Sequence, residues 1–228
     1  MARWYCIPPV NYLESMLDWP THMVIAPHFK NSKPYSQFYI DNPHLQTLLD
    51  NGLWEGDVVS NEQLLEMAND IHANEIIAPD HKSGVITLTR TRKFLKYITE
   101  QGQRHDFLIH GVVHGKKFHK VLQCLNELIA LGVDVIDLPK MLGWKRRQDI
   151  MTMAYDRLNT PDGVIPVHFL GYYKEELPLL EQSTIRSFDT SVPFKPSYAG
   201  KFDLNLPKTF YNNLLINRRL KRWKRLYS

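Results

Sequence analysis

Six side chains that can move protons or attack carbon stand at, or just beyond, short apolar runs of this sequence. Asp50 follows Leu48-Leu49, Asp80 follows Ile77-Ala78-Pro79, and His114 ends Val112-Val113. Asp137 lies between Ile136 and Leu138, His168 between Val167 and Phe169, and Asp189 follows Phe188. Two separated carboxylates facing one cavity can carry out displacement at an anomeric carbon, one attacking C1′ while the other handles protons. That chemistry breaks sugar–oxygen or sugar–nitrogen bonds. Each residue also has a structural reading. Asp50-Asn51-Gly52 is good turn chemistry, Asp80 suits a loop cap, and Asp189, in the stretch SFDTSVP, suits an Asx turn or a helix N-cap. His110 and His114 have the spacing of one strand face, but no motif supplies a third metal ligand, so hydrogen bonding is their expected use.

Residues placed at strand ends need strands to carry them. Eight short β-branched or apolar runs are visible: Trp4–Ile7, Met23–Ala26, Leu45–Leu49, Glu75–Ala78, Phe107–Val113, Val133–Leu138, Val164–Leu170 and Ile185–Phe188. Between them, Asn61–Ala73 puts Leu64, Leu65, Ala68 and Ile71 on one helical face, with Ser60 as the N-cap. Thr89–Gln101 and Phe118–Leu131 show the same periodicity, the second ended by Gly132. Trp144–Arg157 and Lys174–Gln182 are weaker helices, and Pro178 shortens or kinks the latter. Apolar strands alternating with amphipathic helices predict a parallel sheet covered on its outside. Eight units predict an α/β fold, a (β/α)₈ TIM-like barrel, whose working residues gather at the C-terminal ends of the strands. The alternative is an open doubly wound sheet, which would carry a glycine-rich phosphate loop after its first strand; none is present. Residues 27–44 contain Pro34 and Pro43 and read as an irregular segment, an active-site loop or a gap in the barrel.

Composition is that of an ordinary globular chain: 228 residues, 43% hydrophobic and 23% charged. No apolar run approaches the roughly 18–20 residues of a membrane span, and the start lacks a secretory pattern, so no membrane association and a cytoplasmic location are expected. Cys6 and Cys124 stand far apart, which excludes a disulfide framework and a cysteine-rich zinc site. The net charge is +4, yet residues 204–228 hold seven cations (Lys208, Arg218, Arg219, Lys221, Arg222, Lys224 and Arg225) and no acid, leaving −3 on the first 203. The expected organisation is a single barrel domain over 1–203 and a basic helical extension over 204–228, its helix starting after Pro207. Such an extension suits a polyanion, or else is a solvated terminal helix.

The segments LLDNGLWEG (48–56), EIIAPD (75–80), IHGVVHG (109–115), ALGVDVIDLP (130–139), PVHFLG (166–171) and IRSFDTSVP (185–193), taken in order, resemble the tRNA-guanine transglycosylase superfamily. Within it, the chain looks most like the phage-type 7-deazaguanine DNA transglycosylases. The resemblance implies a (β/α)₈ barrel that exchanges guanine in nucleic acid for a 7-deazaguanine base, such as preQ0 or a derivative, through a covalent glycosyl-aspartate. It implies Asp189 as nucleophile, Asp50 as the proton-transfer residue and Asp80 as the acid that reads the base. Val113-His114-Gly115 occupies the place of the family's Val-Gln-Gly, so His114 and Gly115 fall at the base, as do Asn51 and Gly52 beside Asp50; His168 is the further candidate for substrate contact. The chain departs from the family in three ways. Asn51 replaces a serine, His114 replaces a glutamine, and Leu138-Pro139-Lys140 stands where a Gly-Gly pair contacts the base. The cysteine-rich zinc module of the tRNA enzymes is also missing, which implies DNA as the acceptor, no metal and no cofactor, and the host cytoplasm as the location if the chain is phage-encoded.

A base in duplex DNA has to flip out, or be single-stranded, to reach a barrel rim. Trp54, Tyr172 and Tyr173 are expected rim aromatics that could stack on it. Lys116, Lys117 and the seven cations of the tail are expected to hold phosphates. The alternatives are the same chemistry on RNA, a hydrolytic glycosidase, and a non-catalytic barrel that binds nucleic acid.

Overall fold

The computed structural model describes residues 2–56, 59–160, 163–171, 173, 176 and 184–190. Eight strands, β1 (Arg3–Cys6), β2 (Thr21–Ile25), β3 (Gln46–Asp50), β4 (Glu75–Ile77), β5 (Leu108–Val112), β6 (Val135–Pro139), β7 (Val167–Leu170) and β8 (Ile185–Thr190), form a closed barrel in chain order. Every pairing is parallel, and β8 closes the ring on β1 through Arg3–Ser187 to Cys6–Thr190. Closure removes the open-sheet alternative. β7 begins at Val167 rather than Val164. Pro166 has no N–H to give to a ladder, and the residues before it pair elsewhere, Gly163–Val164 running antiparallel to Asn159–Thr160.

Among the described residues six α-helices lie in the connections: α1 (Ala26–Asn31), α2 (Lys33–Asp41), α3 (Asn61–Asp70), α4 (Gly84–Glu100), α5 (Phe118–Ala130) and α6 (Trp144–Leu158). Ser60 caps α3 in a full capping box, accepting from the Gln63 N–H while the Gln63 side chain accepts from the Ser60 N–H. No helix among the described residues is long and apolar enough to cross a membrane. The expectation for 27–44 is corrected: this stretch forms α1 and α2. Pro27 and Pro34 sit in the first turn of each helix, where a missing N–H costs nothing. The buried face is built from Phe29, Tyr35, Phe38 and Tyr39. The β1–β2 connection carries no α-helix and consists of two 3-10 turns at Val10–Tyr12 and Glu14–Met16. Buried His22 holds it, with Nε2 at 3.2 Å from the Met16 carbonyl and 2.9 Å from that of Trp19. Burial pulls His22 down to about 4, so it is a neutral ring bonded to the carbonyls.

Two apolar groups organise the molecule. The larger fills the space between the strands and the helices. The smaller lies inside the barrel and consists of Tyr5, Met23, Ile25, Leu48, Ile77 and Val112. The rest of the interior is polar. His110 Nδ1 meets Asp137 at 2.7 Å and its Nε2 meets Glu75 at 2.8 Å, while Tyr5 donates to Glu75 at 2.9 Å and Arg186 also binds Glu75. Burial alone would strip the proton from His110, but Asp137 and Glu75 overrule it and lift the ring to about 9. Burial likewise opposes the Glu75 charge, and His110 and Arg186 reverse that, holding Glu75 well below the usual carboxylate range. An imidazolium therefore bridges two carboxylates in the barrel axis.

One irregularity positions the site. The β7–β8 register shifts between Ile185 and Ser187. Strict alternation would send Arg186 and Ser187 to opposite faces. Across the shift both turn inward, Arg186 to Glu75 and Ser187 to His168. Asp189 then faces the barrel mouth, the effect expected of a bulge beside a site. The helix expected over Lys174–Gln182 and the extension over 204–228, including its helix, lie outside the described residues apart from Glu176.

Candidate active site at the carboxyl ends of the strands

A cavity of about 570 Å³ opens at the C-terminal mouth of the barrel, and all eight strand ends contribute to its wall. Its floor is the upper face of the inner apolar group, with Met23, Ile25, Ile77 and Val112 joined by Ile7 and Leu170. Asp50, Asp80, His114 and Asp189 line it together. These are four of the six residues expected at the rim. Asp137 and His168 are not at the rim. Both are fully buried and stand opposite each other in the β6–β7 register, inside the strands rather than at their ends.

Asp189 is held from behind. Its Oδ1 accepts from the Gly171 N–H at 2.7 Å and lies 3.3 Å from His168 Nε2. His168 Nδ1 is 2.8 Å from the Ser187 hydroxyl. With Nε2–H directed at the carboxylate, Nδ1 accepts from Ser187, so hydroxyl, ring and carboxylate form one chain. His168, expected to contact substrate, orients Asp189 instead. Gly171 is fixed in turn by Arg147 of α6, whose two terminal nitrogens each donate to the Gly171 carbonyl at 2.9 Å. Arg147 is wholly buried, with Nε 3.2 Å from Glu176 Oε1 and its guanidinium 4.2 Å from the Phe169 ring centroid. Burial pulls it down to about 10, which leaves it charged at neutral pH.

Asp50 differs in its electrostatics. It ends β3 and accepts at Oδ1 from the Gly52 N–H at 3.3 Å. Burial raises it well above the usual carboxylate range, and the charges of Asp80, Glu55 and Asp189 add to the rise against the opposing Gly52 bond. The surroundings of Asp50 thus favour its protonated form. Gly52 is required where it stands: its φ is +80°, and a Cβ would lie 2.2 Å from Pro27 Cδ. It shapes the Asp50 turn and does not line the cavity.

Asp80 is the centre of a second chain. Asn51 Nδ2 donates to its Oδ1 at 3.2 Å, and His114 Nε2 lies 2.7 Å from its Oδ2. Asn51, Asp80 and His114 thus link the ends of β3, β4 and β5. Each Asp80 oxygen keeps a further lone pair for a ligand. Asn51 acts behind Asp80, not in the cavity wall. Gly115 also stays out of that wall, and a Cβ on it would lie 2.7 Å from the Val121 nitrogen. His110 and His114 do not converge, since different carboxylates engage them. Burial lifts Cys124 to about 11, so it is a protonated thiol at neutral pH, and the carboxylates are the nucleophile candidates.

Sequence reasoning missed Glu55, Lys140 and Met141 as cavity residues, and Arg147 as a support. Lys140 belongs to the stretch, Leu138-Pro139-Lys140, where the resemblance expected a base-contacting pair, and Met141 follows it. Lys140 Nζ lies 4.8 Å from the Tyr173 ring centroid, and the Tyr173 hydroxyl donates to the Lys140 carbonyl at 2.9 Å. Trp54 and Tyr173 line the mouth as expected, and Trp54 is 64% exposed, open enough to stack on a planar ligand. Tyr172 and Arg218, Arg219, Lys221, Arg222, Lys224 and Arg225 of the tail lie outside the described residues. Lys116 and Lys117 are exposed on the loop between β5 and α5. No protein-family model and no curated protein matches the chain.

Proposed function

We propose that the chain is a base-exchanging transglycosylase that replaces guanine in DNA with a 7-deazaguanine base through a covalent glycosyl-aspartate. The observation that carries this reading is one cavity holding three aspartates in unlike surroundings: Asp189 fixed by N–H donors, Asp50 where burial and neighbouring charges raise its pKa, and Asp80 hydrogen-bonded across two strand ends. Unlike surroundings suit acids in one site to different roles. The resemblance of the segments around these residues supports the same assignment.

In the first half-reaction Asp189, through Oδ2, attacks C1′ as the glycosidic bond breaks, and Asp50 gives its proton to the departing guanine. A glycosyl-ester and neutral guanine result. The incoming 7-deazaguanine then passes its N9 proton to the Asp50 carboxylate and attacks C1′ through N9. Asp189 leaves as a carboxylate, and Asp50 ends protonated as it began. Asp80 accepts from N1–H and the exocyclic amine of a guanine-type base, a pairing that adenine and pyrimidines do not offer. The apolar floor and Trp54 suit the faces of a purine.

Incubation with a radiolabelled 7-deazaguanine base, with DNA and RNA oligonucleotides as separate acceptors, is the test. Label should enter DNA, and Asp189→Asn should lower incorporation by roughly 10³-fold or more. Denaturation without incoming base should leave DNA covalently bound at Asp189. Full exchange by Asp189→Asn would overturn the nucleophile. Incorporation into RNA alone would move the acceptor to RNA.

A further inference from the structure

Beside the cavity lies a second depression, about 740 Å³, between the start of α4 and the start of α5. His114 lines both, so the two depressions share one wall residue. Four exposed cations border the second: Lys82, Arg92, Lys116 and Lys120; Glu127 is the single acid in its wall. None of the four cations forms an ion pair among the described residues. Lys120 donates to Gln123, and Lys82 lies 5.2 Å from the Trp54 ring centroid at the cavity mouth. Neither helix start is capped by a side chain, so their free N–H groups add partial positive charge. Gly84 allows the close approach of α4 that shapes the groove, since a Cβ there would lie 2.6 Å from the His114 carbonyl. Val85, 74% exposed, stands at the lip.

We infer that this groove holds the phosphodiester backbone of the strand flanking the target nucleotide, with Arg92, Lys116 and Lys120 on phosphates. The inference rests on the base-exchange reading for the identity of the strand. Clustered cations along a groove are the footprint of phosphate binding, and a groove whose Lys82 reaches over Trp54 at the cavity mouth is placed for one strand to occupy both. Lys117 is not part of it, which narrows the expectation drawn from the Lys116-Lys117 pair.

The test uses the full chain carrying Asp189→Asn, so that binding is read without turnover, and a fluorescent single-stranded DNA oligonucleotide containing one guanine. Adding Arg92→Ala, Lys116→Ala and Lys120→Ala together should weaken binding at low salt. It should also flatten the slope of log affinity against log salt by about 2, near 0.7 per lost single-strand contact. The pair Lys93→Ala and Lys96→Ala, on the same helix but outside the groove, should leave the slope unchanged, and a thermal melt confirms folding. An unchanged slope in the triple variant overturns the groove while leaving base exchange untouched, as does failure of the parent to bind the oligonucleotide. A flattened slope with no exchange by the unmutated chain upholds the groove and overturns the enzymatic reading.

Discussion

On the proposed reading, Asp50 is where a single residue sets the chemistry. A carboxyl whose pKa is raised by burial and by the charges of Asp80, Glu55 and Asp189 is suited to act as acid first and as base second, which the proposed base exchange demands of one group. The first half-reaction needs its proton, so kcat/KM for the nucleic acid should fall as pH rises through the Asp50 pKa. Neutralising a neighbour removes part of what raises that pKa. Glu55→Gln should therefore move the alkaline limb toward lower pH, a displacement that pH–rate profiles of the two proteins read directly. A limb that stays in place would detach Glu55 from the titration. Asp50, Asp80, His114 and Asp189 were legible in the sequence because each follows an apolar run at a strand end. Asp137 and His168 were misjudged because one or two positions along a strand separate the rim from the interior, and periodicity alone does not reveal where the rim lies. Glu55, Lys140 and Arg147 gave no signal: they sit on loops or a helix and acquire meaning only through tertiary contact.

At the scale of elements, α6 reaches Asp189, the proposed nucleophile, without touching it. Arg147 fixes the Gly171 carbonyl, and the Gly171 N–H fixes Asp189. Arg147→Met should cost about 3 kcal/mol of stability by leaving Glu176 buried without its cation. It should also lower kcat on the order of 10-fold or more with KM little changed. Adding Glu176→Leu should restore stability, measured by denaturant unfolding, but not kcat. Recovery of both together would reduce Arg147 to a structural role. The eight strands could be read from sequence because both faces of each are covered, giving short runs that stay mainly apolar even where Glu75, His110, Asp137 and His168 interrupt them. α1 and α2 were not readable because first-turn prolines look like breakers until the helix after each is seen. The shift in β8 was invisible too, since nothing in Ile185-Arg186-Ser187 says which pair of neighbours will share a face.

For the whole molecule, the buried imidazolium ties stability to pH. The His110 pKa is raised on folding to about 9, so its contribution is fully present below about 6.5 and is lost as pH rises through 9. Glu75 has the opposite sense: its pKa is depressed, so its contribution is present above about 4.5 and is lost as pH falls through its lowered value. The unfolding free energy should therefore be highest between roughly pH 4.5 and 6.5 from these two groups, and decline toward pH 10 in denaturant titrations. A flat profile from pH 6 to 10 would show that folding does not raise the His110 pKa.

The same cluster constrains the order in which the protein can become itself. Glu75 and Arg186 are 111 residues apart in the chain. At ribosomal speeds of about 5–20 residues per second, the carboxylate emerges roughly 6–20 seconds before its guanidinium partner. Through that interval β4, β5 and β6 can assemble only as a partial sheet, and the one guanidinium already made for Glu75 is that of Arg3, 3.9 Å away in the closed barrel. Closure waits for β8, and β8 also brings Asp189. The nascent chain is thus without the third aspartate of its cavity until the strand that seals the ring has been made.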